Sequence, residues 1–169
     1  MPKRPLRPLI LLATALLLAA CSFAIPLPDL NGDAPPPDVR FHTPAGEPVD
    51  LADYRGQVLF VNFWGSYCPP CVEEMPDLQK VYDELAGENF LILGVNVEES
   101  PEKVNAFVQE NNITFPVAIS DDGTVNPDLA LHRMPTTWFI DAHGILRGKI
   151  EGQMDATLAR RIARKLLDE

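Results

Sequence analysis

Runs of β-forming apolar residues predict a sheet in the C-terminal three quarters of the chain. Val58–Trp64 reads VLFVNFW, a nearly continuous apolar run that is typical of a central strand covered on both faces. A second such run extends from Phe90 to Val97. Two further stretches, residues 39–51 and residues 136–150, each hold two short apolar segments around a turn. They predict two antiparallel hairpins, one on either side of the buried strands in chain order.

Apolar residues at helical spacing predict three helices between and after these strands. The first helix has its apolar stripe at Met75, Leu78, Val81, Tyr82 and Leu85. Ser100 followed by Pro101 marks the start of a second helix, and Asp155 caps the last one. The order βαβα followed by ββα predicts an α/β fold: a central mixed sheet with helices on both faces and an N-terminal β-hairpin.

The first twenty residues are predicted to be a targeting segment. Lys3, Arg4 and Arg7 precede an apolar run from Leu9 to Ala20. As a helix this run would cover about 18 Å, against roughly 30 Å for the hydrocarbon core of a bilayer. A cleaved signal peptide over residues 1–20 is therefore favoured over a permanent transmembrane anchor.

The end of that segment, Leu18-Ala19-Ala20-Cys21, resembles the cleavage site of a bacterial lipoprotein signal. The resemblance implies that Cys21 becomes the first residue, carries a lipid and anchors the protein to a membrane. A standard signal-peptidase site with a chance cysteine nearby is the alternative. Lipidation would use one of the three cysteines and leave two in an oxidising compartment.

Residues 21–37 are predicted to form a Pro-rich lipidated tether to a domain at residues 38–169. The stretch 22–37 holds five prolines and has neither a helical nor a strand period. An extended spacer of this kind could hold the domain up to roughly 50 Å from the lipid. The alternative is that residues 23–30 pack on the domain as an extra strand.

The charge of the chain limits the classes of partner. The formal net charge is −10, and removal of residues 1–20, which hold three cations and no acid, would make it more negative. Nucleic-acid binding requires clustered cations, so no nucleic-acid partner is expected. The acidity is typical of a soluble, self-repelling surface, and we expect a monomer.

The motif Cys68-Pro69-Pro70-Cys71 lies where the first buried strand meets the first helix. A helix N-terminus stabilises a thiolate through its free N–H groups and macrodipole. Cys68 is therefore the expected nucleophile, and Cys71, one turn deeper, the resolving thiol. Because prolines have no N–H, two donors are missing, and the stabilisation should be moderate, which favours a reductant.

Other uses of the two cysteines are weaker alternatives. A structural disulfide is unusual at a strand-to-helix turn, and zinc would need two more ligands from three scattered histidines. A Cu(I)-binding metallochaperone could use the two thiolates of Cys68 and Cys71. A peroxidase is disfavoured because the proline-threonine pattern of that family does not precede Cys68.

The segments FVNFWGSYCPPCVEEMP and MPTTWFID together resemble the thioredoxin superfamily, and within it the TlpA/ResA-like membrane-anchored branch. The resemblance covers roughly residues 38–169 and implies a thioredoxin-like fold. It also implies a cis-proline at Pro135, beside the cysteines, with the Met134 backbone free to pair with an extended substrate. Trp64, Met134 and Pro135 are the expected substrate-binding residues.

Glu74 is the expected proton acceptor of Cys71. It follows Cys71 by three residues, on the same helical face, and matches an active-site glutamate of the ResA-like proteins. Thioredoxin itself has a buried aspartate in the preceding strand, where this chain has Asn62, which cannot exchange a proton. The alternative is that Glu74 is a solvated acid near the helix N-terminus, which is the role we expect of Glu73.

These features predict a thiol-disulfide oxidoreductase on the extracytoplasmic face of a bacterial membrane. No cofactor is expected besides the redox-active Cys68–Cys71 disulfide, and no metal. The resemblance implies a CcdA/DsbD-type membrane electron donor and exported clients such as the haem-binding cysteines of apocytochrome c or copper-site cysteines.

Overall fold

A seven-stranded mixed sheet forms the centre of the computed structural model, which describes residues 26–120 and 131–169. The strands are β1 (Phe41–His42), β2 (Pro48–Val49), β3 (Val58–Trp64), β4 (Phe90–Asn96), β5 (Val117–Ser120), β6 (Thr136–Ile140) and β7 (Leu146–Glu151). Their order across the sheet is β2-β1-β5-β4-β3-β6-β7. Strands β3, β4 and β5 are parallel, and the two predicted hairpins extend the sheet with antiparallel strands.

Strand β5 was not predicted from the sequence. It has only four residues and pairs in parallel with residues 94–96 of β4. On its other side Phe41 of β1 pairs with Ser120, so β5 joins the N-terminal hairpin to the sheet. So short a segment has little periodicity of its own, because its strand conformation depends on neighbours distant in sequence.

The helices are α1 (Pro69–Glu84), α2 (Pro101–Glu110), α3 (Ala156–Leu167) and a 3-10 helix at Leu51–Tyr54. The predicted starts are confirmed: Ser100 is the N-cap of α2, and the Asp155 side chain accepts a hydrogen bond from the Leu158 N–H at 2.7 Å. Pro76 lies inside α1.

Alternate residues of β3 contribute to two buried apolar clusters on opposite faces of the sheet. Phe60 belongs to a cluster that includes apolar residues of all three α-helices. Leu59 belongs to a second cluster, against which the 3-10 helix and the N-terminal hairpin pack. Helices therefore lie on both faces, but in the described part of the chain the second face carries only the single-turn 3-10 helix.

The predicted tether is wrong for residues 29–34, which lie against the edge strand β7. The Gly32 N–H donates to the Arg147 carbonyl and the Leu146 N–H to the Ala34 carbonyl, both at 2.9 Å. Leu30 is only 3% exposed and belongs to the helix-side cluster. The unpaired backbone groups of an edge strand and a place for a leucine side chain together favour this docking over a free spacer.

Gly148 shows how closely this segment approaches the sheet. A Cβ atom at residue 148 would overlap the Asp29 carbonyl oxygen and come within 3.2 Å of the Leu30 side chain. Glycine in a strand often marks such a close backbone approach. The docking of residues 29–34 therefore depends on the glycine in β7 as well as on the N-terminal segment itself.

Cys21 and the predicted signal segment lie outside the described residues, so lipidation and cleavage stay predictions. Within residues 26–120 and 131–169, no helix combines the length and the apolar character that a bilayer span requires.

We expect Leu30→Ala to lower the free energy of unfolding by about 2–5 kcal/mol, because it removes a buried side chain from the core. Urea unfolding of the oxidised protein measures this. Leu27→Ala, at a partly buried neighbour, is the control and should cost less. A Leu30→Ala protein as stable as wild type would show that residues 29–34 do not dock.

Candidate active site

The Cys68–Cys71 pair is a disulfide at the N-terminus of α1, directly after the central strand β3. Cys68 is the N-cap residue of the helix, and the two Cα atoms are 5.3 Å apart. The Cys68 N–H donates to the Gly65 carbonyl at 3.1 Å, which closes the turn between strand and helix. The predicted placement of both cysteines, and their ability to close a ring, are confirmed.

The two sulfur-bearing residues differ in exposure in the predicted sense. Cys68 is 8% exposed, whereas Cys71 is fully buried. The first helical N–H groups, those of Cys71 and Val72, both donate to the Cys68 carbonyl, at 3.0 and 3.1 Å. Since Pro69 and Pro70 have no N–H, a thiolate on Cys68 would depend mainly on the helix macrodipole for stabilisation.

Glu74 is a buried acid one turn beyond Cys71. It is 2% exposed, and its carboxylate accepts hydrogen bonds from the Asn62 amide at 2.7 Å and from the Met154 N–H at 3.0 Å. Burial raises the pKa of Glu74 more than the hydrogen bonds from Met154 and Asn62 lower it, so the pKa rises from 4.5 to about 7. The alternative of a solvated acid is wrong, because the side chain is enclosed by the core.

The Asn62 side chain links Glu74 to strand β6. Its amide nitrogen donates to Glu74 and also to the Thr137 hydroxyl at 2.9 Å. Its amide oxygen is buried and has no hydrogen-bond partner within residues 26–120 and 131–169. Asn62 itself cannot exchange a proton, but its side chain donates directly to the Glu74 carboxylate.

The Met134–Pro135 peptide bond is cis, as the resemblance implies. The pairing of Phe63 with Thr136 places Pro135 next to the end of β3 from which the cysteine loop leaves. Pro135 is buried, and Met134 is partly exposed. The substrate-binding roles of these two residues stay predictions.

The side chain of Trp64 lies inside the core. The residue is fully buried, and its ring packs on Phe107 of α2 with ring centroids 4.8 Å apart. The substrate-binding role of Trp64 stays a prediction, and its side chain is not exposed in this oxidised form. As the last residue of an inner strand, Trp64 points into the core beneath the loop.

The loop between β4 and α2 holds the cysteine loop in place, and sequence reasoning missed it. The Glu99 carboxylate accepts hydrogen bonds from the Ser66 N–H and hydroxyl, both at 2.6 Å, and from the Asn96 amide at 2.8 Å. Burial opposes the charge, but these hydrogen bonds and nearby Lys103 hold the pKa of Glu99 below its ordinary value. The sequence did offer one signal, the position of Glu99 shortly after the end of β4. The carboxyl ends of parallel strands such as β3 and β4 lie at the same edge of a sheet, so the loops that follow them are neighbours.

Tyr67 forms the exposed surface beside Cys68. It is 52% exposed, and its hydroxyl donates to the Val97 carbonyl at 3.1 Å. A Cβ atom on Gly65 would come within 2.6 Å of the Tyr67 ring, so the ring requires a glycine there. The side chain thus spans the cysteine loop and the β4–α2 loop.

No group of three or more His, Cys, Asp or Glu side chains suited to a metal ion occurs within residues 26–120 and 131–169. In that part of the chain, the copper alternative would rest on the thiols of reduced Cys68 and Cys71. The copper-binding role of the chain stays a prediction, and no contact among the described residues favours it.

The fold and the site together define a thioredoxin-like protein with a cysteine pair at the start of its first long helix. The chain is similar to a solved thiol:disulfide interchange protein, a thioredoxin family protein from Chlorobium tepidum TLS, with a TM-score of 0.67. The identity is 29%, over 79% of this chain and 96% of that one.

The model of the AhpC/TSA family matches residues 32–149, and the chain belongs to that family. It is 37% identical to the thiol-disulfide oxidoreductase ResA of Halalkalibacterium halodurans over 99 residues, or 59% of this chain. That match spans 56% of the length of the Halalkalibacterium protein. A ResA of Geobacillus thermodenitrificans is 36% identical over 70% of this chain and 68% of its own length.

The buried Glu74 should make stability depend on pH. Its pKa is raised on folding, so the native state binds more protons and its stability falls as pH rises from about 4.5 through about 7. Between pH 4 and pH 8, wild type should lose about 3 kcal/mol relative to Glu74→Gln. Urea unfolding of the oxidised proteins measures the difference.

The matched control for this experiment is Glu73→Gln, at the exposed neighbouring acid, whose profile should run parallel to wild type. A constant difference between wild type and Glu74→Gln across this range would contradict the raised pKa of Glu74.

Proposed function

We propose that the chain is a thiol-disulfide oxidoreductase that acts as a dithiol reductant of exported proteins. The observation that carries the proposal is the Cys68–Cys71 disulfide, in which Cys68 is the N-cap residue of α1 and is 8% exposed, whereas Cys71 lies one turn deeper and is fully buried. The names of the similar proteins, thiol-disulfide oxidoreductase and thiol:disulfide interchange protein, support it.

The reaction proceeds by two thiol-disulfide exchanges. The Cys68 thiolate attacks one sulfur of a client disulfide, which forms a mixed disulfide and releases the first client thiolate. The Cys71 thiolate then attacks the Cys68 sulfur, which forms the Cys68–Cys71 disulfide and releases the second client thiolate. The client gains two electrons, and the protein is left oxidised.

Glu74 accepts the proton that Cys71 loses before the second attack. A pKa of about 7 matches this role, because such a carboxyl can take or release a proton near neutral pH. The position of Glu74, buried on the same helix as buried Cys71, keeps the transfer away from bulk water.

Moderate stabilisation of the Cys68 thiolate favours the reducing direction. A strongly stabilised thiolate makes the reduced form stable and the protein an oxidant. The N-terminal prolines of α1 remove two N–H donors from the neighbourhood of Cys68.

The source of electrons and the clients follow from the resemblance to TlpA/ResA-like proteins. A CcdA/DsbD-type membrane protein would supply two electrons per cycle, and apocytochrome c or copper-site cysteines would receive them. The protein would work on the extracytoplasmic face of the membrane, held by a lipid at Cys21.

The reduction potential tests the direction of transfer. Equilibration with dithiothreitol or glutathione should give a value near that of thioredoxin, about −270 mV. A value near −120 mV, as for DsbA, would remove the reductant assignment while leaving the oxidoreductase assignment intact.

Cysteine variants test the division of labour. Cys71→Ser should accumulate mixed disulfides in cells, because Cys68 can attack but no thiol can resolve the product. Non-reducing electrophoresis and mass spectrometry then identify the client. Cys68→Ser is the matched control and should trap nothing; normal disulfide exchange by that variant would overturn the proposed function.

A further inference from the structure

The amide of Asn62 is held between an acid and a hydroxyl. Its nitrogen donates one hydrogen bond to Glu74 Oε1 and a second to Thr137 Oγ1, at 2.7 and 2.9 Å. Its oxygen has no partner in the described part of the chain, and the residue is fully buried. A buried amide with both hydrogens used and its oxygen unused is arranged for a neighbour that only accepts hydrogen bonds.

That arrangement suits only one protonation state of Glu74. Ionised Glu74 accepts from Asn62 on one oxygen and from the Met154 N–H on the other. A proton added to Oε1 would meet the hydrogens of the Asn62 amide, and a carboxylic acid needs an acceptor for its O–H. Half a turn of the Asn62 amide about its Cβ–Cγ bond would bring the unused oxygen to the place that the nitrogen now holds.

We propose that Asn62 is a positioning residue whose amide rotates when Glu74 takes up a proton, so that its oxygen accepts the Glu74 O–H. This inference rests on the proposed role of Glu74 as proton acceptor. The acid is then hydrogen-bonded in both protonation states, and in the protonated state the Asn62 NH2 group takes the place that its oxygen holds in the other state. Cys71 could give up its proton without leaving a buried carboxyl unpaired.

Thr137 makes the rotation possible. A hydroxyl both donates and accepts, so it accepts from the Asn62 nitrogen in one state and donates to the Asn62 oxygen in the other. Aspartate at position 62 would place a second negative charge against Glu74, and leucine would offer no hydrogen bond. An amide of this size can offer Glu74 a donor in one state and an acceptor in the other.

Glu74 is the titratable group that contacts the Asn62 amide, so a change in its protonation is what would rotate that amide. Its hydrogen bonds come from Asn62 on β3 and the Met154 N–H before α3, and Cys71 precedes it on α1. Among the described residues, no charged group contributes to its pKa shift. The Asp155 side chain, next to Met154, is turned to the Leu158 N–H.

Nuclear magnetic resonance of the oxidised full-length chain tests the proposal, because neither cysteine titrates in the disulfide. At pH 9 the Asn62 amide hydrogens should show Overhauser contacts to the Thr137 side chain. At pH 5 those contacts should be lost, and the midpoint should equal that of the Glu74 carboxyl carbon. Asn96, whose amide contacts Glu99, is the internal control and should not change over this range.

Two variants sharpen the test. Glu74→Gln places an NH2 group against Asn62 and should hold the rotated form at every pH. Asn62→Leu removes a donor to the carboxylate and should raise the Glu74 midpoint by about one pH unit or more.

Overhauser contacts that persist from pH 9 to pH 5 while Glu74 titrates would overturn the inference and leave the proposed function standing. A Glu74 that does not titrate in this range would overturn it too. Conversely, a rotating Asn62 combined with wild-type disulfide exchange in Glu74→Gln would retain the rotation and remove Glu74 from the proposed mechanism.

Discussion

Helix α1 has Cys68 as its N-cap and begins at Pro69, after a short loop that follows the inner strand β3, and the other parts of the site are placed by that junction. Strands β4 and β6 flank β3, so each contributes its adjacent end. The end of β4 leads to Glu99, which binds Ser66 of the cysteine loop. The start of β6 places Pro135 on the other side. The Glu99 hydrogen bonds to Ser66 hold the cysteine loop from the β4 side.

Glu74 places a carboxyl inside the core, where its side chain is 2% exposed. An ionised acid enclosed by apolar residues destabilises the fold unless its oxygens are paired. Here the pairing comes from an amide on β3 and a backbone N–H before α3, so three elements meet at one carboxyl. Their hydrogen bonds lower the pKa and burial raises it, and the balance leaves the acid able to exchange protons near neutral pH.

Docking of the N-terminal segment changes how a membrane tether would act. The backbone of residues 29–34 covers part of edge strand β7, where Gly148 leaves room for it and Leu30 fills the core beside it. Any free spacer therefore ends before Asp29 and is shorter than the predicted tether of residues 21–37. An edge strand covered in this way is also protected from pairing with other chains.

The sequence by itself determined the elements that depend on local patterns: β3 and β4, the three α-helices with their caps, both hairpins, and the position of the cysteine pair at a helix start. Glu74 followed from helical spacing and from family resemblance. Tertiary structure alone decided that β5 is a strand, that residues 29–34 dock on β7 and that Trp64 is buried. It also decided that Glu99 binds the cysteine loop and that Asn62 binds Glu74. The reason is physical: periodicity and capping act within a few residues, whereas a buried hydrogen bond or a short strand depends on partners that only the folded chain brings together.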